Sequence, residues 1–267
     1  MDGIIQIDLF HLALGYIIIL LITGLVRLRR LGRELEILVA TFRMTVQLIL
    51  VGYLLSYLFD LSNPWLTLGI FLIMEGFAVY TVFGRLKKAR LFPSLKRVIA
   101  LCMVIGTSFS LIFLLFLVIQ LRPWFNPRYF IPIAGMIIGN SMNGISIGVE
   151  RLASGMRGQL ARVEGALMLG ATPREAARPF VSEAFAAAIM PTMNNMMGMG
   201  IVFLPGMMTG QILSGISPLT AIQYQIAIML GIAGSVSISV FLVTELGYRR
   251  FFTGESQLIP EVYATAE

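Results

Sequence analysis

Few residues in this chain could do chemistry, and most of them sit where charge is expensive. Arg43 and Gln47 are four apart and share one helix face. Glu75 stands in the middle of another apolar run. A charge inside a membrane-crossing helix costs about 2.5–3.5 kcal/mol on insertion scales, so each such residue is a functional candidate. The functional reading is a polar pathway in which Arg43, Gln47 or Glu75 meets a solute, with Glu75 the one carboxylate placed to engage a metal cation. The bland reading is an Arg43–Glu75 pair that satisfies itself between helices. Asn140 and Asn143 are three apart, and with Asn194 they must face protein or water; they serve as interhelical glue or as a path lining.

Other chemistries lack their residues. The single histidine, His11, cannot build a multi-histidine metal cage. The single cysteine, Cys102, lies in an apolar run and reads as a small hydrophobe. No Gly-Lys dipeptide occurs, so the phosphate-cradling pattern G-x-x-x-x-G-K-[ST] is absent and any ATP must be bound by another chain. Seven methionines fall between Met190 and Met208. Thioethers are soft ligands, but the seven spread around half a helix, which favours adaptable packing in a helix that moves. No catalytic set emerges, and the expectation is that the chain is not an enzyme.

The elements that hold these residues follow from composition. Of 267 residues, 57% are hydrophobic and 13% charged, with mean hydropathy +0.86. A soluble domain is about 45–50% apolar and about 25% charged. A soluble enzyme, a nucleic-acid binder and a disordered chain are therefore excluded. The pattern predicts an all-α integral membrane protein with about seven transmembrane helices, at roughly 4–26, 36–59, 65–84, 98–121, 129–149, 191–214 and 219–244. Asp2 and Asp8 replace the basic start of a cleavable signal, so the first span is expected to remain.

The net charge of +6 is organised. Clusters at 27–33, 85–97, 151–178 and 249–250 gather 17 of the 20 Lys and Arg residues on one side of the predicted spans. The positive-inside rule then places the N-terminus outside and the C-terminus in the cytoplasm. The outer connections are short, so no outer domain is expected to capture a ligand. The one large hydrophilic feature is a cytoplasmic loop at about 150–178, within a single membrane domain spanning 1–267. It should be helical up to Gly170, broken at Gly-Ala-Thr-Pro, then helical again with Thr172 as cap and Pro173 in the first turn. Within span five, Gly135/Gly139 and Gly144/Gly148 predict close helix approach.

Several segments carry a family pattern. Leu169-Gly-Ala-Thr-Pro173, Pro191-Thr192, Leu204-Pro-Gly-Met-Met208 with Gly210, Ala221-Ile222 and Tyr224-Gln225-Ile226 resemble the FetB family. So does Ile131-Pro-Ile-Ala-Gly-Met136 with Gly139-Asn140. The motifs cover about 130–226. The family comprises ABC-transporter permeases described as iron exporters in bacteria, with plant relatives associated with aluminium tolerance and nucleotide-sugar transport. In part, the loop also looks like the EAA loop of ABC importers: Glu164-Gly165-Ala166 and Gly170 keep the E-x-A-x3-G spacing, while the nearest echo of I-x-L-P is Ile189-Met190-Pro191.

The resemblance implies a permease in the bacterial inner (plasma) membrane, self-associated as a homodimer and contacting lipid but no nucleic acid. It would work with two copies of a separate ATP-binding subunit that uses ATP and Mg. Glu164, Gly170, Ala171, Thr172 and Pro173 would form the coupling element, and iron would be the exported cargo. Three rivals are an anionic organic cargo such as a nucleotide sugar contacting Arg43, a stand-alone proton-coupled transporter using Glu75, and a membrane enzyme.

Overall fold

The computed structural model describes residues 7–61, 63–86 and 92–263, except the side chains of 60, 261 and 263. Predictions that involve Asp2, Lys87, Lys88 or Arg90 lie outside the described residues. The described chain is all-α, and six of its helices are long and apolar enough to cross a bilayer. It is a multi-spanning membrane protein. It divides into two units, 1–62 and 63–267.

The first unit is a helical hairpin of α1 (Leu9–Leu28) and α2 (Glu34–Leu61). Asp8 accepts from the Leu9 amide and starts α1. The two helices are joined by a hydrogen bond between the Tyr16 and Thr45 hydroxyls, 2.6 Å apart. Their surfaces are almost wholly exposed Leu, Ile, Val and Phe, as lipid-facing helices require.

The second unit holds α3 (Pro64–Arg85), α4 (Pro93–Ile112), α5 (Pro127–Gly158), α6 (Leu160–Met168), α7 (Pro173–Gly198), α8 (Gly206–Leu213), α9 (Pro218–Gly247) and a short α10 (Pro260–Tyr263). Pro stands in the first turn of α3, α4, α5, α7 and α9, where its missing N–H has no intrahelical partner to lose. Helix α4 closes in a π-helical stretch, Phe113–Val118, so this span runs from Pro93 to Val118.

Helices α4, α5 and α9 form the core, joined by small residues. A Cβ on Gly106 of α4 would lie 2.0 Å from Ser239 Oγ of α9. One on Gly144 would meet Val236 at 2.8 Å, and one on Gly148 would meet Val240 and Ala188 at 3.3 Å. Without side chains at these points the backbones approach closely and gain dispersion contacts. The predicted Gly144/Gly148 approach is therefore present. Gly135 meets only Met74, at 3.2 Å, and nothing lies within 4 Å of a Cβ at Gly139, so that pair does not form a second close crossing.

The predicted span 191–214 is not one helix. Helix α7 begins at Pro173 and ends at Gly198; the chain turns through Gly200 at φ +84°, and α8 starts only at Gly206. The Gly200 amide is bonded to the Phe203 carbonyl at 2.9 Å, closing a tight turn where a helix would have continued. Hydropathy reads composition and did not register that Gly198, Gly200, Pro205 and Gly206 punctuate the run. Span five also exceeds its predicted 129–149: α5 continues to Gly158, carrying charged residues beyond the apolar stretch.

Candidate functional site

The predicted break in the hydrophilic loop is present and fully capped. Helix α6 ends at Met168, and Gly170 adopts φ +89°, a conformation that disfavours any side chain. The Thr172 hydroxyl then accepts from the Glu175 amide while the Glu175 carboxylate accepts from the Thr172 amide and hydroxyl. This reciprocal box fixes the start of α7. Hydrogen bonds from the Thr172 backbone and then its side chain hold the Glu175 carboxyl below its ordinary value. The sequence reading named Glu164, Gly170, Ala171, Thr172 and Pro173, and all five fall within this helix–turn–helix corner.

The sequence reading missed two large, highly exposed apolar residues of that corner. Met168 and Leu169 are 86% and 91% exposed, next to a rigid turn. Their signal was available: two large apolar residues at a predicted break in a hydrophilic segment. Beside them lies an open cleft of about 590 Å³, bordered by Glu164, Leu167, Met168 and Ala171 and by the tail residues Glu255–Leu258. A second cleft of about 410 Å³ is lined by Arg174, Glu175, Arg178, Glu245 and Tyr248. Exposed apolar anchors set among charged clefts are what a soluble partner's groove would engage.

The in-span candidates separate into distinct environments. On α2, Arg43 and Gln47 share an exposed face with Glu36, Val39 and Ala40, bordering a groove of about 470 Å³. Glu75 of α3 is 3% exposed. One of its oxygens accepts from the Thr107 hydroxyl of α4, and Oε2 has no partner among the described residues. Asn140 turns back on its own helix, donating to the Met136 carbonyl at 2.7 Å. Asn143 accepts from Arg85 at the last turn of α3. Asn194 stands exposed on α7.

Sequence reasoning also missed the partners these residues find on other helices. Ser141 and Ser235 bond hydroxyl to hydroxyl at 2.8 Å in the core. Arg151 of α5 and Glu183 of α7 form an ion pair with both side chains about half exposed. Among the described residues no group of three or more His, Cys, Asp or Glu could hold a metal ion.

A family model described as an uncharacterised protein family, UPF0014, matches residues 9–252. The chain is 38% identical to a UPF0014 membrane protein of Synechocystis, over 95% of this chain and 98% of that one. It is 36% identical to the protein ALUMINUM SENSITIVE 3 of Arabidopsis thaliana, over 95% of this chain and 90% of that one. It is 32% identical to the probable iron export permease protein FetB of Escherichia coli, over 93% of each. No solved structure is a significant match.

Proposed function

The chain belongs to the UPF0014 family of membrane proteins, and from that premise we propose that it is the membrane-spanning permease of an ABC exporter with iron as cargo. A separate ATP-binding subunit, in two copies with ATP and Mg, docks on the α6–α7 corner of a homodimer. The chain is a transporter subunit rather than an enzyme. It lies in the plasma membrane of a bacterium, with its N-terminus outside and the 150–178 loop and C-terminus in the cytoplasm, as the clustering of basic residues favours.

The observation that carries this reading is the corner itself. A coupling element must pass force, so it needs a rigid turn, an anchor for the partner and a direct link to a long helix. Gly170 and the Thr172–Glu175 box supply the turn, and Met168 and Leu169 supply the anchor. Helix α7 supplies the link, running from Pro173 to Gly198 against α5 and α9. Closure of the ATP-binding subunits would tilt α7 and switch the path between two states. Iron as cargo follows the Escherichia coli relative, a probable iron export permease.

In the cycle we assign Glu75 to the α3–α4 contact, reachable by a cation only when those helices part. Asn140, Asn143 and Asn194 remain lining candidates, with Arg43 and Gln47 on α2. Co-purification from native membranes tests the docking. An ATP-binding protein should accompany the chain, and Glu164→Ala or Gly170→Arg should release it. A well-folded chain without such a partner would overturn the ABC reading and leave a stand-alone transporter using Glu75.

A further inference from the structure

Glu75 belongs to a row of polar groups that crosses the core of the second unit. On the α3 side, the Thr107 hydroxyl of α4 donates to its carboxylate. On the α9 side, the neighbouring Gly106 has no side chain, and Ser239 Oγ stands 2.0 Å from where its Cβ would be. Ser235, one turn away on α9, has its hydroxyl 3.5 Å from the Gly106 carbonyl and bonds Ser141 of α5. These side chains come from three helices to two consecutive residues of α4. Glu75, Thr107, Ser235 and Ser239 are each 3% exposed or less.

Two of the four are unsatisfied in a way that other buried hydroxyls of this bundle are not. Ser146 and Thr244 each bond the carbonyl four residues back on their own helix. Thr107 does the same to Met103. That carbonyl is the local default for a hydroxyl inside a helix. Ser239 Oγ and Glu75 Oε2 have no partner among the described residues, nor does Ser110 Oγ, one turn along α4. A buried polar atom without a partner weakens the fold. Unsatisfied oxygens grouped in one place mark a site whose occupant supplies the missing bonds.

We propose that Glu75, Thr107, Ser235 and Ser239 form an oxygen-donor site for one hard or borderline divalent cation, taken up between α3, α4 and α9. The proposal rests on the transport reading for the ion's role as cargo, and deepens it by naming ligands beyond Glu75. The carboxylate offsets half of the ion's charge, and the hydroxyl oxygens add donors without adding charge. Thr107 can leave its proton on the Met103 carbonyl while its lone pairs turn to the ion. The charge left over keeps binding weak enough for release. Room for the helices to adjust adjoins the site. A cavity of about 270 Å³ between α4 and α9 reaches Ser110, and α4 becomes π-helical from Phe113. An all-oxygen set discriminates against soft ions, which prefer sulfur.

Equilibrium dialysis of the purified full chain against Mn²⁺ tests the site, because overnight exposure lets a buried site open and refill. The parent should bind one Mn²⁺ per chain. Glu75→Gln should abolish that binding, and Thr107→Val and Ser239→Ala should each weaken it by roughly tenfold or more. Without Mn²⁺, Ser239→Ala should melt no lower than the parent, so its weaker binding would not come from unfolding. Ser146→Ala, whose hydroxyl serves the Met142 carbonyl, should bind like the parent. A folded parent without stoichiometric Mn²⁺ would leave these oxygens to buried water and overturn the proposal. Equal affinity in Ser239→Ala and the parent would do the same. Displacement of Mn²⁺ by an equal amount of Ag(I) would overturn the cation class. The measurement needs no ATP-binding subunit, so the absence of that partner would sink the ABC reading and leave the site standing.

Discussion

The carboxylate of Glu75 on α3 accepts a hydrogen bond from the Thr107 hydroxyl on α4, while Thr107 also bonds the Met103 carbonyl of its own helix at 2.8 Å. One hydroxyl proton thus serves two acceptors in the interior of a spanning bundle. Glutamine fits the same place, because its amide can donate to Thr107 Oγ and leave the hydroxyl proton to Met103. Glu75→Gln should therefore keep near-normal thermal stability in detergent, whereas Glu75→Ala should lose about 1–3 kcal/mol through unpaired buried groups. If the charge is used when α3 and α4 part, Glu75→Gln should also reduce transport at least tenfold. Transport at the parent rate would confine Glu75 to packing.

The Gly106–Ser239 crossing makes a sharper stability prediction. Gly106→Ala places a methyl 2.0 Å from Ser239 Oγ and 3.0 Å from its Cα, so α4 and α9 must separate. Overpacking of this kind costs about 1–3 kcal/mol. Ser239 Oγ is buried and has no hydrogen-bond partner among the described residues. Ser239→Ala alone should accordingly be neutral or mildly stabilising. Combined with Gly106→Ala it should restore part of the loss, since the Ser239 Cβ still stands at 2.9 Å. Thermal melts of the four forms complete the cycle, and strict additivity would mean that the helices do not meet at this point.

These two contacts mark where sequence reading stops. The α6–α7 corner was legible because Gly170, Thr172, Pro173 and Glu175 act on backbone within a few residues of themselves. The spanning helices were legible because apolar length is a property of each segment alone. Thr107 as partner of Glu75, Ser235 as partner of Ser141 and Arg85 as partner of Asn143 were not, since each pair joins different helices and depends on crossing geometry. The broken span at 191–214 falls between these cases. Its punctuation was local, but four breaking residues were outweighed by an apolar average.

The Thr172–Glu175 box predicts a pH response. The Glu175 carboxyl is held below its ordinary value of 4.5 by hydrogen bonds that exist only in the folded helix start. A depressed folded value means that the box contributes fully above the unfolded value and is lost as pH falls through the folded one. The protection factor of the Glu175 amide, with the intrinsic pH dependence of exchange divided out, should therefore stay high at neutral pH and fall only below the ordinary carboxylate range. Thr172→Ala should remove the protection at every pH, because the accepting hydroxyl is gone. Protection unchanged in that variant would mean that the cap does not order α7.

Met168 and Leu169 carry the strongest test of the coupling role proposed for the α6–α7 corner. They touch little in their own chain, so replacing them should leave its fold intact while altering any partner interface. Buried apolar anchors at interface centres cost about 2 kcal/mol or more when lost, which is roughly thirtyfold in affinity. Met168→Asp/Leu169→Asp should therefore weaken binding of the proposed ATP-binding partner by at least that factor, with normal abundance and an unchanged melting profile. A variant at Trp65, also exposed but on α3, should not release it. The comparison is informative because both sites are apolar and exposed, and only one adjoins the Gly170 turn. Retention of the partner by the double variant would move the docking surface off the corner, toward the cleft lined by Arg174, Arg178 and Glu245.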